Sequence, residues 1–162
     1  MDKHHPSSEI VKDPVCGMIV EDCTFESAYE GIRYFFCSEQ CRERFIANPH
    51  LYVGYPGHPA PRQRGMQVLK RRRFKLAHPL SAYEADLLRK ELRGMMGVRE
   101  IHADGELVEI TYDLMAVTAE LIEARLVSIG LRLGQDWPER LRLGFIHFIE
   151  ETEVLGLEEP PH

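Results

Sequence analysis

No cysteine occurs after position 41, and no stretch of the 162 residues approaches the roughly 20 consecutive apolar residues needed to span a bilayer. The opening MDKHHPSSEI lacks the apolar centre of a secretory signal, so the chain reads as cytoplasmic. Acids are missing between Arg62 and Lys75. There Arg62, Arg64, Lys70, Arg71, Arg72, Arg73 and Lys75 form one basic run in a chain of formal net charge −6. That balance argues against general nucleic-acid affinity, and such a run is normally a solvated connector. A Cys-x-x-Cys redox pair is also absent, as is any Ser/His/Asp or paired-carboxylate pattern, so the chain is not expected to be an enzyme.

What the chain has is four cysteines, Cys16, Cys23, Cys37 and Cys41, within 26 residues. In a reducing compartment such a cluster favours metal over disulfide. Ser38 is a natural N-cap and predicts a helix from about Glu39 to Ala47. Cys37 then lies just before that helix and Cys41 in its first turn, where the positive dipole end favours thiolate. Gly17 after Cys16 fits a tight turn that presents a sulfur, and Phe35, Phe36 and Phe45 supply an apolar wall. The metal is read as Zn2+ or Cu+: structural zinc takes four ligands, whereas Cu(I) accepts two or three thiolates. Cys23 is the candidate fourth ligand; Asp13, His50, His58, water or a partner's side chain are the alternatives. Met18 reads as packing, His4 and His5 as a weak metal hint, and His102 and His147 as ordinary histidines. The competing reading of the motif cysteines is a cluster of inert core thiols.

The rest of the chain divides at Pro56, Gly57, Pro59, Pro61 and Gly65, which read as a linker. Beyond it, Phe74 and Leu76 alternate as in a strand. Tyr83, Leu87, Leu88 and Leu92 recur at helical spacing. Val98 to Ala103 and Val108 to Tyr112 flank the hairpin signal Asp104-Gly105. Leu121, Ile122, Leu126 and Ile129 form a helical stripe that stops at Gly130. Leu131 and Leu133 begin a last strand. The fold class is therefore α+β, with a βαββαβ ferredoxin-like order in the second half. In the tail, Trp137, Leu141, Phe145, Phe148 and Leu155 share one face of a C-terminal amphipathic helix. That face is expected to dock on the neighbouring domain, the alternative being a partner-binding helix. The expected divisions are a flexible 1–9, a metal-binding domain 10–55, a linker 56–71, a ferredoxin-like domain 72–134 and a helix 135–158.

DPVCGM, YFFCSEQC, the trailing Phe45, and Asn48, Pro49 and Tyr52 resemble a YHS domain, one of the TRASH-type, treble-clef-like metal-binding modules. The resemblance implies metal binding through Cys16, Cys37 and Cys41, often in copper- or zinc-handling proteins; Cys23 is outside that motif. Residues 72–134 resemble the heavy-metal-associated domain of copper chaperones and exporting ATPases, through LRKELRGMMGVREI and VTAELIEARLVSIGL. That family's CxxC is missing, with Ser81 and Glu84 standing in its place as a capping box. The second half then reads as a docking module without ligands.

Together these readings describe a soluble heavy-metal-binding protein in metal trafficking, sensing or homeostasis, docking to a metal-transporting ATPase or related partner. The alternative is an adaptor with a structural zinc, whose first domain needs the ion to fold.

Overall fold

Alternating side chains in FESAY and IRYFF make two short strands, β1 (Phe25–Tyr29) and β2 (Ile32–Phe36), paired antiparallel with Phe25 opposite Phe36. The computed structural model of the chain describes residues 10–21 and 23–160, apart from the side chains of Trp137 and Pro138. His4 and His5, and the whole of 1–9, lie outside it. Extended Ser38 accepts the Cys41 amide and starts α1 (Glu39–Ala47), the span its capping chemistry predicts. A short 3-10 turn, Pro49–Leu51, follows.

The second half runs β3 (Leu69–Lys75), α2 (Ala82–Arg93), β4 (Val98–Asp104), β5 (Leu107–Asp113), α3 (Ala119–Ser128) and α4 (Trp137–Glu158). The Ser81–Glu84 capping box opens α2. The antiparallel sheet has the order β3–β5–β4. On one face Phe74, Val108, Ile110 and Tyr112 pack against Leu88 and Leu92 of α2 and Ile122 and Leu126 of α3. The other face is open, and there Arg71 and Arg73 pair with Glu109.

Three expectations are corrected. The last strand is reduced to one bridge, Leu76 to Leu133. Its place along the β3 edge is taken by α4, whose Arg142 donates to the Arg73 carbonyl and whose Glu153 pairs with Lys70 at 2.7 Å. A helix laid on an edge strand removes an open template for aggregation. Second, the segment read as a linker is fixed. Arg62 donates through Nε to the Val15 carbonyl at 2.7 Å, and β3 begins at Leu69, so Lys70 and Arg71 belong to the sheet. Third, α4 docks through the face opposite to the expected one. Leu143, Ile146, Glu150 and Val154 are buried, while Leu141, Phe145, Phe148 and Leu155 face outward. Both faces are apolar; Glu150 decides between them, because its carboxylate accepts the Tyr112 hydroxyl and the Ala119 amide. Leaving those donors buried without an acceptor would outweigh the greater area of the aromatic face.

The halves share a core. Val15, Phe36, Cys41, Phe45, Leu51 and Tyr52 pack with Leu114, Met115 and Ala116, which follow β5, and with Val154 of α4. Polar contacts close the same seam. Gln40 donates to the Met96 carbonyl at 2.8 Å and accepts its amide at 3.1 Å, and Arg44 donates to the Leu114 carbonyl at 3.2 Å. Gly97 permits the close approach: a Cβ there would stand 2.7 Å from that of Ala116.

Because Leu114 is buried in the core that residues of both halves build, Leu114→Ala is expected to cost about 2–5 kcal/mol by cavity formation. Denaturant unfolding should remain one transition at every probe. Two resolved transitions would show that the halves do not share a core.

Candidate metal centre

Around Cys16 the chain folds on a single acid. Asp13 Oδ1 accepts the amides of Val15 (2.7 Å) and Cys16 (3.3 Å), and Oδ2 accepts the Cys37 amide (2.8 Å). The turn closes through Gly17, whose amide reaches the Asp13 carbonyl at 2.8 Å and whose φ of +78° disfavours any other residue. A bridge from Lys12 to Ile19 holds its base. Asp13, almost fully buried, thereby joins the Cys16 turn to the β2–α1 junction.

The result is a cluster: the ligand atoms of Asp13, Cys16, Cys37 and Cys41 all lie within 4.8 Å of one another. Cys16 and Cys37 sulfurs are 3.5 Å apart, and Cys37 and Cys41 sulfurs 3.7 Å. Cys41 is buried, and Cys16 and Cys37 are half-buried. Phe36 and Phe45 are buried beside them, with Tyr29, Tyr34 and Tyr52 around the Phe45 ring.

Other candidates lie elsewhere. Cys23 is exposed and outside the cluster. His50 is held by the Tyr29 hydroxyl (2.8 Å) and the Val53 carbonyl (3.0 Å) and stacks on Tyr55. His58 lines a small cleft with His50 and Tyr55, away from the sulfurs. Met18 is 51% exposed and does not cover the knuckle. Asp13 was only one of several alternatives in the sequence; the readable sign of its place was an acid three residues before a cysteine-glycine turn, where it caps the turn's amides.

Without a metal, the sulfurs do not share the thiolate character expected from the helix dipole. Contact with Cys41 lowers the Cys16 pKa to about 7. Burial pushes Cys37 up to about 11, and the hydrogen bond to Cys16 together with burial pushes Cys41 well above the thiol range. Burial of adjacent sulfurs beside the Asp13 carboxylate thus raises two of the three thiols and leaves Cys16 the most acidic. A cation would reverse this.

Three sulfurs converging with a carboxylate are the donor set of a soft-metal site. The three sulfurs meet mainly one another, with the Ser38 hydroxyl 3.7 Å from Cys37, whereas both Asp13 oxygens already accept backbone amides. The residues therefore fit an ion bound by three thiolates, with Asp13 orienting their loops. Comparison with known proteins agrees with that class. A model of the YHS domain matches residues 11–55, which hold all four of these residues. A copper-transporting P-type ATPase of Rhizobium leguminosarum bv. viciae is 39% identical over 54 residues, covering 32% of this chain. The matched stretch is 6% of that ATPase, so the likeness concerns a small part of it. No solved structure matches. Among the described residues, no helix is long and apolar enough to cross a membrane.

Binding by three thiolates must displace the protons of Cys37 and Cys41, whose pKa values are raised, while Cys16 is largely ionised above about 7. Affinity should therefore rise with pH above neutrality, by about a hundredfold per unit while two protons are displaced. Chelator competition at neutral and mildly alkaline pH checks this; a pH-independent affinity would contradict it. Asp13→Asn leaves the Cys37 amide without its acceptor and is expected to lower stability by about 1–3 kcal/mol. Metal affinity should fall with it, read in the same competition assay.

Proposed function

We propose that the chain binds a soft metal ion, copper(I) or zinc, through Cys16, Cys37 and Cys41, and serves in the trafficking or sensing of that ion. The observation that carries this reading is the convergence of the three sulfurs on Asp13 within residues that match the YHS domain. Copper(I) is favoured, because three thiolates complete its shell, whereas tetrahedral zinc would take a fourth donor from Asp13, water or a partner. Likeness to part of a copper-transporting ATPase points the same way. When bound, the ion supplies only its charge and its exchange between sulfur ligands. The chain's own part is to hold three thiols at one point, with Cys16 the most acidic of them.

The adaptor reading with a structural zinc is weaker. It requires the small first half to depend on the ion for its core, yet Leu114, Met115, Ala116 and Val154 complete that core from the second half. The second half, with its β3–β5–β4 sheet and the Leu76–Leu133 bridge, is read as a heavy-metal-associated-like, ferredoxin-like scaffold that has no cysteine of its own. We assign it a docking role toward a metal exporter or related metal-handling protein.

Native mass spectrometry of anaerobically purified, tag-free protein tests the assignment. One Cu(I) should load per chain and be removed by a competing chelator with the circular dichroism unchanged. Cys37→Ser should abolish loading, while Cys23→Ser leaves it intact. Loss of the fold on metal removal would instead establish a structural site.

A further inference from the structure

We propose that the outward face of α4 is the interface of a homodimer, in which two copies pair their α4 helices antiparallel across a two-fold axis near residues 145–148. The inference is independent of the metal reading and starts from exposed apolar area. Leu141, Phe145, Phe148 and Leu155 are 56, 63, 64 and 52% exposed. At 100° per residue they fall within one stripe, opposite the buried Leu143, Ile146, Glu150 and Val154. Four large apolar side chains in a row are a contact surface rather than scattered exposure.

Charge identifies the occupant. Glu139, Arg140 and Arg142 lie in the N-terminal half of α4, and its C-terminal half, with Glu150, Glu151, Glu153 and Glu158, carries acids and no Lys or Arg. Most of these charges have partners within the chain: Arg142 with Glu139, Glu153 with Lys70, and Glu150 with Tyr112 and Ala119. Glu158 receives the Asn48 side-chain amide and the His50 backbone amide. Among the described residues, Arg140 and Glu151 form no ion pair, and both are exposed on the same flank of the stripe.

Their midpoint along the helix falls within one residue of the midpoint between Phe145 and Phe148. A second antiparallel copy therefore places Arg140 of each chain beside Glu151 of the other, twice, while the phenylalanines meet at the axis. The opposed dipoles of the two helices also compensate. An isologous contact requires this self-complementarity, and an unrelated helix would have no reason to match it. Gly144 and Gly156 border the same stripe with open space where a Cβ would stand, so a neighbouring backbone can come close.

Sedimentation equilibrium of the full 162-residue chain tests the proposal. A dimer that dissociates on dilution is expected, and Phe145→Glu with Phe148→Glu should leave a monomer of 18.7 kDa with unchanged circular dichroism. The decisive measurement is the charge swap. Arg140→Glu alone should weaken the dimer about tenfold, and adding Glu151→Arg in the same chain should restore it, since the reciprocal pairs are then re-formed. A wild-type monomer at all concentrations would overturn the proposal and leave the stripe to a partner of different sequence. A dimer indifferent to Arg140→Glu, or not rescued by the double swap, would overturn this geometry.

Discussion

Asp113 is fully buried where β5 ends, and its carboxylate is shared among three parts of the chain. Oδ1 accepts the amides of Val68 and Met115, each at 3.0 Å, and Oδ2 accepts Arg62 Nη1 at 3.1 Å. Arg62 then donates through Nε to the carbonyl of Val15, the residue before Cys16. One buried ion pair thus connects the end of the sheet, the segment before β3 and the turn that carries the first sulfur. Breaking such a pair by removing one partner typically costs about 3–5 kcal/mol, because the remaining charge stays buried. The Leu114–Ala116 turn can plug the core of the first half only while Asp113 holds its start.

The candidate metal centre repeats this device on a smaller scale. Asp13 is also a buried carboxylate whose bonds go to backbone amides, and it fixes the two loops that present sulfur. Amide–carboxylate bonds of Asp13 thus tie together the two loops that carry the three thiols. Fixing both loops through one carboxylate reduces the conformational freedom of the sulfurs they carry. Sharing a core with the second half has the same effect, since about 45 residues alone are short of buried apolar area.

Much of this was legible in the chain. Ser38 placed the start of α1, and the spacing of Cys37 and Cys41 put two sulfurs there. The capping box at Ser81 and the Asp104-Gly105 turn placed α2 and the β4–β5 hairpin. Such features are local: a cap, a turn or an i, i+4 relation needs no distant partner to be favourable. Asp13 was harder to single out, because an acid before a cysteine turn gives no sign of which distant amide it also holds.

What sequence determined by itself, then, is the set of short-range elements and the chemistry of the motif cysteines. Tertiary structure decided the remainder. Cys23 looks like its neighbours in the sequence, yet it sits exposed in the turn before β1 and outside the cluster, although Phe25 two residues on pairs with Phe36 beside Cys37. The basic run reads as a solvated connector, but Arg62 finds Asp113 and Arg71 finds Glu109 across large sequence separations. Both faces of α4 are apolar by composition. The buried hydroxyl of Tyr112 and the amide of Ala119 select the face that carries Glu150, because two donors left buried without an acceptor outweigh the extra apolar area of the aromatic face.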